Sequence, residues 1–186
     1  MFRRRPIRRA LRPLRGTPRR GAPQALITAN QMLESGNYQE AAERFEAIAR
    51  TAETSGGLRA PQFYLQAGRA RILAGQIEAG LAHLKHGLSL FVKHGEWLHL
   101  RRASRRVVAE LDERGLVDAA EEITAWLNGA MPADSQNFPE TPSARKPVLP
   151  THCPSCGAAL RPDEVDWLDD ITAECAYCGS PVREDN

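Results

Sequence analysis

No run of apolar residues in this 186-residue chain approaches the roughly 18–20 that a membrane span requires. Nor does the sequence contain an H-E-x-x-H pair, a phosphate-binding glycine loop, a G-x-S-x-G elbow or a dinucleotide fingerprint. With no catalytic constellation, the chain reads as non-enzymatic. Acid is missing from the first twenty residues, which hold nine arginines, among them Arg3, Arg4, Arg5, Arg8 and Arg9. No apolar segment follows those arginines, so they read as neither a Sec nor a twin-arginine signal. Serine is also absent there, while Pro6, Pro13 and Pro18 are present, which argues against a mitochondrial presequence. Cysteine is confined to four positions near the C-terminal end. The expected location is cytoplasmic, where thiols meet metal rather than oxidant. The arginine arm leaves peripheral contact with a membrane or a nucleoid open.

The four cysteines, Cys153, Cys156, Cys175 and Cys178, follow the pattern C-x2-C-x18-C-x2-C. That spacing lies in the range of four-thiolate zinc sites. Each pair bends back so that both sulfurs face one point, and two such knuckles complete a tetrahedron around one structural Zn2+. Gly157 and Gly179 each follow the second cysteine of a pair, where glycine lets the backbone turn amides toward the sulfurs. Four thiolates leave no open position for a catalytic water. His152 adjoins Cys153 and is read as exposed or supporting, not as a ligand. The stretch "CPSCG…CAYCG" resembles the zinc-ribbon family over residues 151–183. The resemblance implies two or three short antiparallel strands with the metal at one end. Val165, Trp167, Ile171, Ala173 and Tyr177 supply a thin apolar set at alternate positions. So small a module needs the metal's binding energy in order to fold.

The centre of the chain repeats itself. Gly36, Gly75 and Gly115 stand 39 and 40 residues apart, and each precedes an amphipathic segment: Ala41 and Phe45, Gly80 and Leu84, Ala120 and Thr124. A period of this length marks stacked helical hairpins. The pattern resembles the tetratricopeptide repeat over roughly residues 24–128. The expected fold is mainly α: three stacked helical hairpins, a solenoid, plus a small C-terminal β zinc ribbon. Helices are expected at about 24–35, 38–52, 61–74, 77–93, 97–114 and 117–128, with long connections near 51–60 and 93–96. Small residues (Ala29, Ala41, Gly68, Gly80, Ala120) mark the expected close crossings. By family resemblance, the first helix of each unit lines a groove for a peptide. That implies Asn30, Gln31, Arg69, Arg71 and Arg105 as candidate contacts.

Charge divides the chain further. The arm is +9, residues 151–186 are −6, and the segment between is nearly neutral. Arg101, Arg102, Arg105 and Arg106 gather on one helix face, with Glu110 placed to offset Arg106. These arginines and those of the arm are candidate contacts for a polyanion, for a partner's carboxylates or for the chain's own acidic ribbon. His83, His86, His94 and His99 read as ordinary helix histidines. The expected domains are an arm over 1–22, a helical repeat domain over 23–128, a proline-rich linker over 129–150 and the ribbon over 151–186. The expected function is a protein-interaction adaptor binding unidentified protein partners. A nucleic-acid- or ribosome-associated factor using the arm is the alternative, and a peripheral membrane protein the second. The ribbon is expected to hang from its linker with a core separate from that of the helices.

Overall fold

The computed structural model describes residues 24–131, 148–161, 165–167 and 171–183. Arg3, Arg4, Arg5, Arg8 and Arg9, and most of the proline-rich segment, lie outside them, and so does any contact between arm and ribbon. The described chain is mainly helical: α1 (Gln24–Glu34), α2 (Tyr38–Thr54), α3 (Ala60–Leu73), α4 (Ile77–His94), α5 (Trp97–Glu113) and α6 (Val117–Ala130). Three short strands follow, β1 (Asp166–Trp167), β2 (Thr172–Glu174) and β3 (Pro181–Arg183). They form one antiparallel sheet in the order β1-β2-β3, with Trp167 opposite Ala173 and Ala173 opposite Val182.

Each helix packs on its neighbour in sequence. Periodicity explains which face is buried. In α2 the buried residues are Ala41, Ala42, Phe45, Glu46 and Ala49; in α5 they are Leu100, Ala103, Ser104, Val107 and Leu111. Both sets fall one helical turn apart, on a single stripe. The expected helix boundaries hold to within two residues. The expected long connections do not: α2 runs on to Thr54, and only residues 95–96 separate α4 from α5. The surplus of the period goes into longer helices, which keep their backbone hydrogen bonds internal.

The turn at Gly36 shows how a helix is stopped. Gly36 has φ +82°, its N–H donates to the Leu33 carbonyl, and the Asn37 N–H donates to Met32 at 2.9 Å. This satisfies carbonyls that the helix end would leave bare, and the positive φ favours glycine. The same pair of bonds recurs around Gly75, Gly95 and Gly115.

Two hydrophobic clusters result. Phe91, Leu88, Leu100, Leu111 and Ile123 centre the one built mainly from α4, α5 and α6. The other joins Leu26, Ala29, Phe45, Phe63 and Tyr64 to Leu160, Val165, Ala173, Val182 and all four cysteines. The expectation of a separate ribbon core is therefore corrected. A three-stranded module has too little apolar surface to cover itself, and its buried residues join the core that α1, α2 and α3 supply. Strand β2 is buried along its whole length, where a strand with a solvated face would alternate. Ile171, expected in the thin apolar set, is 54% exposed.

The α3–α4 crossing tolerates only glycine. A methyl on Gly80 would sit 2.5 Å from Ile72 Cγ1 and 2.8 Å from the Gly68 carbonyl oxygen. Gly80→Ala should lower stability by about 1–3 kcal/mol, whereas Gly129→Ala, in open space on α6, should be neutral or slightly stabilising. Thermal unfolding of the two variants checks this contrast. A second expectation concerns Glu46, which is buried beside Arg71 (2.6 Å) and His83 (3.0 Å). Burial alone would raise its carboxyl. The Arg71 hydrogen bond and His83 outweigh that and hold it below 4.5. Its contribution is present above that value and lost as pH falls through the lower folded one. Acid unfolding of Glu46→Gln should therefore start from lower stability at neutral pH and show a shallower loss below about pH 4.5. Equal slopes would contradict the assignment.

Candidate metal centre

Two knuckles of identical backbone construction bring the cysteines together. In the first, the Cys153 N–H donates to the Ala158 carbonyl and the Gly157 N–H to the Cys153 carbonyl, both at 2.8 Å. In the second, the Cys175 N–H donates to Ser180 and the Gly179 N–H to Cys175, both at 2.9 Å. Gly157 (φ +74°) and Gly179 (φ +65°) close the two turns. In the first knuckle the Ser155 N–H points at Cys153 Sγ, 3.4 Å away.

The four sulfurs all lie within 4.8 Å of one another and are buried. Cys153 Sγ is 3.8 Å from Cys178 Sγ, and Cys156 Sγ is 3.8 Å from Cys175 Sγ. A disulfide needs about 2.05 Å, and none is formed. A tetrahedron with metal–sulfur bonds of about 2.3 Å has edges of about 3.8 Å. The donor set therefore fits a tetrahedral metal ion. The electrostatics agree. The Cys156 thiol is pushed up by the surrounding sulfurs of Cys153, Cys175 and Cys178 and by burial, while hydrogen bonds with Cys156, Cys175 and Cys178 pull Cys153 down. So close a set cannot ionise fully by itself; a dication at its centre would let all four carry charge. His152 is exposed, with its ring Nδ1 3.1 Å from Thr151 Oγ1 and its backbone bridged to Ala159, and it is not one of the four clustered ligand residues, so the set is the four cysteines.

The helices hold this centre from outside. Asn30, 2% exposed on α1, donates from Nδ2 to the Cys156 carbonyl at 2.8 Å. On α3, Arg69 donates from Nη1 to the Tyr177 hydroxyl at 3.3 Å, its guanidinium 5.7 Å from the ring centroid. On α5, His99 Nε2 lies 3.1 Å from Glu174 Oε2. That hydrogen bond, followed by the charge of Glu174, holds the imidazole above its usual 6.5 against the opposing effect of burial. The Ala159 N–H donates to Glu34 at 3.2 Å.

Of the residues that the helical-repeat resemblance implied as contacts, Asn30 and Arg69 face the ribbon. Gln31 is exposed. Arg71 points to Glu46 and Gln76. Among the four arginines of α5, Arg102 and Arg106 border a small space shared with His99, Glu174 and Cys175, while Arg105 is exposed. Arg101, Arg105 and Arg106 are each engaged. Glu110 pairs with Arg69 and Arg114, both at 2.8 Å. The sequence reading missed His99 and Glu174 as partners, since 75 residues separate them. Asn30 carried a signal: it shares the buried stripe of α1 with Leu26 and Ala29, where a polar group needs a partner.

Serine at any one of the four cysteines should remove bound metal, and His152→Ala should leave the metal content unchanged; elemental analysis of the purified variants decides. No family model, no curated protein and no solved structure matches this chain.

Proposed function

We propose that the protein is a non-enzymatic interaction adaptor: a tetratricopeptide-like array of three helical hairpins that binds protein partners, carrying a zinc ribbon as a structural module. The observation that carries the reading is the combination of serial helix packing with turn glycines at a 39- and 40-residue period. Helices stacked in this way present long faces, a form suited to binding extended or hairpin segments. Four sulfur donors in a closed tetrahedral arrangement favour zinc, whose structural sites take this form. The ion supplies folding energy to the ribbon and leaves no position for substrate.

Two measurements bear on this. Elemental analysis should find one zinc per chain; less than half an equivalent in carefully purified protein would contradict the zinc assignment. Capture from a lysate with intact protein and with protein lacking residues 1–20 should recover the same proteins in both cases. Recovery of nucleic acid or lipid alone, lost with the arm, would replace the adaptor by a polyanion-binding factor.

A further inference from the structure

The three helices that open the hairpins, α1, α3 and α5, each grip the cysteine module beside a different ligand. Asn30 holds Cys156 itself, His99 holds Glu174 next to Cys175, and Arg69 holds Tyr177 next to Cys178. The face they form thus asks for definite chemistry: a carboxylate opposite His99, a tyrosine opposite Arg69, and a backbone carbonyl and N–H opposite Asn30 and Glu34. The acid and the tyrosine stand three residues apart on the second knuckle, a tight turn, and the two backbone groups belong to the first knuckle beside it.

The match between face and module is incomplete. Asn30 Oδ1 and Gln62 Oε1 on the helices, Arg102 Nη1 on α5 and Trp167 Nε1 on the module are buried without a hydrogen-bond partner. Part of the same face is also uncovered. A cleft of about 310 Å³ lies between α1, α3 and the first knuckle, lined by Tyr38, Arg69, Arg114 and Arg161 among others. Glu34 lines it too, and Arg69 and Arg114 are already paired with Glu110, so the cleft adds open space beside the module and the acidic demand stays at His99.

We propose that the face of α1, α3 and α5 is a recognition surface for an acidic, tyrosine-bearing turn of a partner protein, and that the chain's own cysteine module fills it for as long as the metal is bound. The inference rests on the adaptor and zinc readings above and names the surface that the adaptor uses. A module this small loses its fold without its metal, and with it the groups that the face grips. Coupling is reciprocal: whatever weakens the grip weakens metal retention by the same factor.

The first arm of the test is zinc transfer from full-length protein to a chromophoric chelator. Arg69→Ala and His99→Ala, neither a ligand, should each retain zinc about tenfold less well, the scale of one hydrogen bond to a charged group. The second arm uses a labelled glutamate–tyrosine copolymer as probe and polyglutamate as control. The arginine arm can hold either polymer in both metal states, so the readout is the change on chelation. Chelation should strengthen copolymer binding about tenfold, should strengthen polyglutamate binding less, and should do neither in the Arg69→Ala, His99→Ala double variant. Unchanged zinc retention in both single variants, no gain on chelation, or an equal gain for polyglutamate would each overturn the proposal. Dimerisation of the chelated chain in place of copolymer binding would put a second copy on the face and overturn the acidic-partner assignment. Protein that takes up no zinc would contradict the zinc reading and the proposal together, whereas normal zinc loading with failure of both arms would contradict the proposal alone.

Discussion

Four buried sulfurs placed at the corners of a tetrahedron are the constraint on which the rest of this structure depends. They cannot all ionise in each other's company without a cation. They are also too far apart for disulfides, at 3.8 Å. A bound metal ion would resolve both conditions at once. It would make a fixed object of two loops and three very short strands, and only a fixed object can present Cys156, Glu174 and Tyr177 to three separate helices. The polar contacts across the seam follow from that rigidity. Without it, each would have to offset the entropy of ordering its own loop.

The helical part has its own logic. Hairpins built on left-handed glycines bring successive helices into contact, and glycines at the α3–α4 crossing let two backbones meet. Two polar clusters inside this array are paired across helices: Glu46 with Arg71 and His83, and Tyr64 with Glu53 at 2.7 Å. The Glu53 hydrogen bond adds to burial in pushing the Tyr64 hydroxyl up to about 12. Such bonds add about 0.5–1.5 kcal/mol each, more when a charge takes part. They fix which side of α3 faces α2 and α4, and so which side is left for the module.

Local features were legible in the sequence and non-local ones were not. Helix ends could be read because glycine at a helix terminus has a single physical use, and the cysteine spacing could be read because few chemistries need it. The docking of the module could not. It rests on a contact between His99 and Glu174, on the burial of both sides of β2, and on the pairing of Glu110 with Arg69, 41 residues away in sequence. Each depends on distances that only the folded chain sets. The proline-rich linker suggested a freely tethered ribbon, yet Glu174, one of the ribbon's acids, is a buried partner of α5. Asn30 is the instructive middle case, since a polar residue on an apolar helical stripe announces a partner without naming it.

The central claim is that metal, cysteine module and helices form one cooperative body. Calorimetric unfolding of the full-length protein, with zinc bound and after chelation, tests it most directly. The account predicts one transition in the loaded protein, whose midpoint falls on chelation because the core shared by α1, α2, α3 and the module is opened. Two transitions in the loaded protein, with the helical one unmoved by chelation, would contradict it.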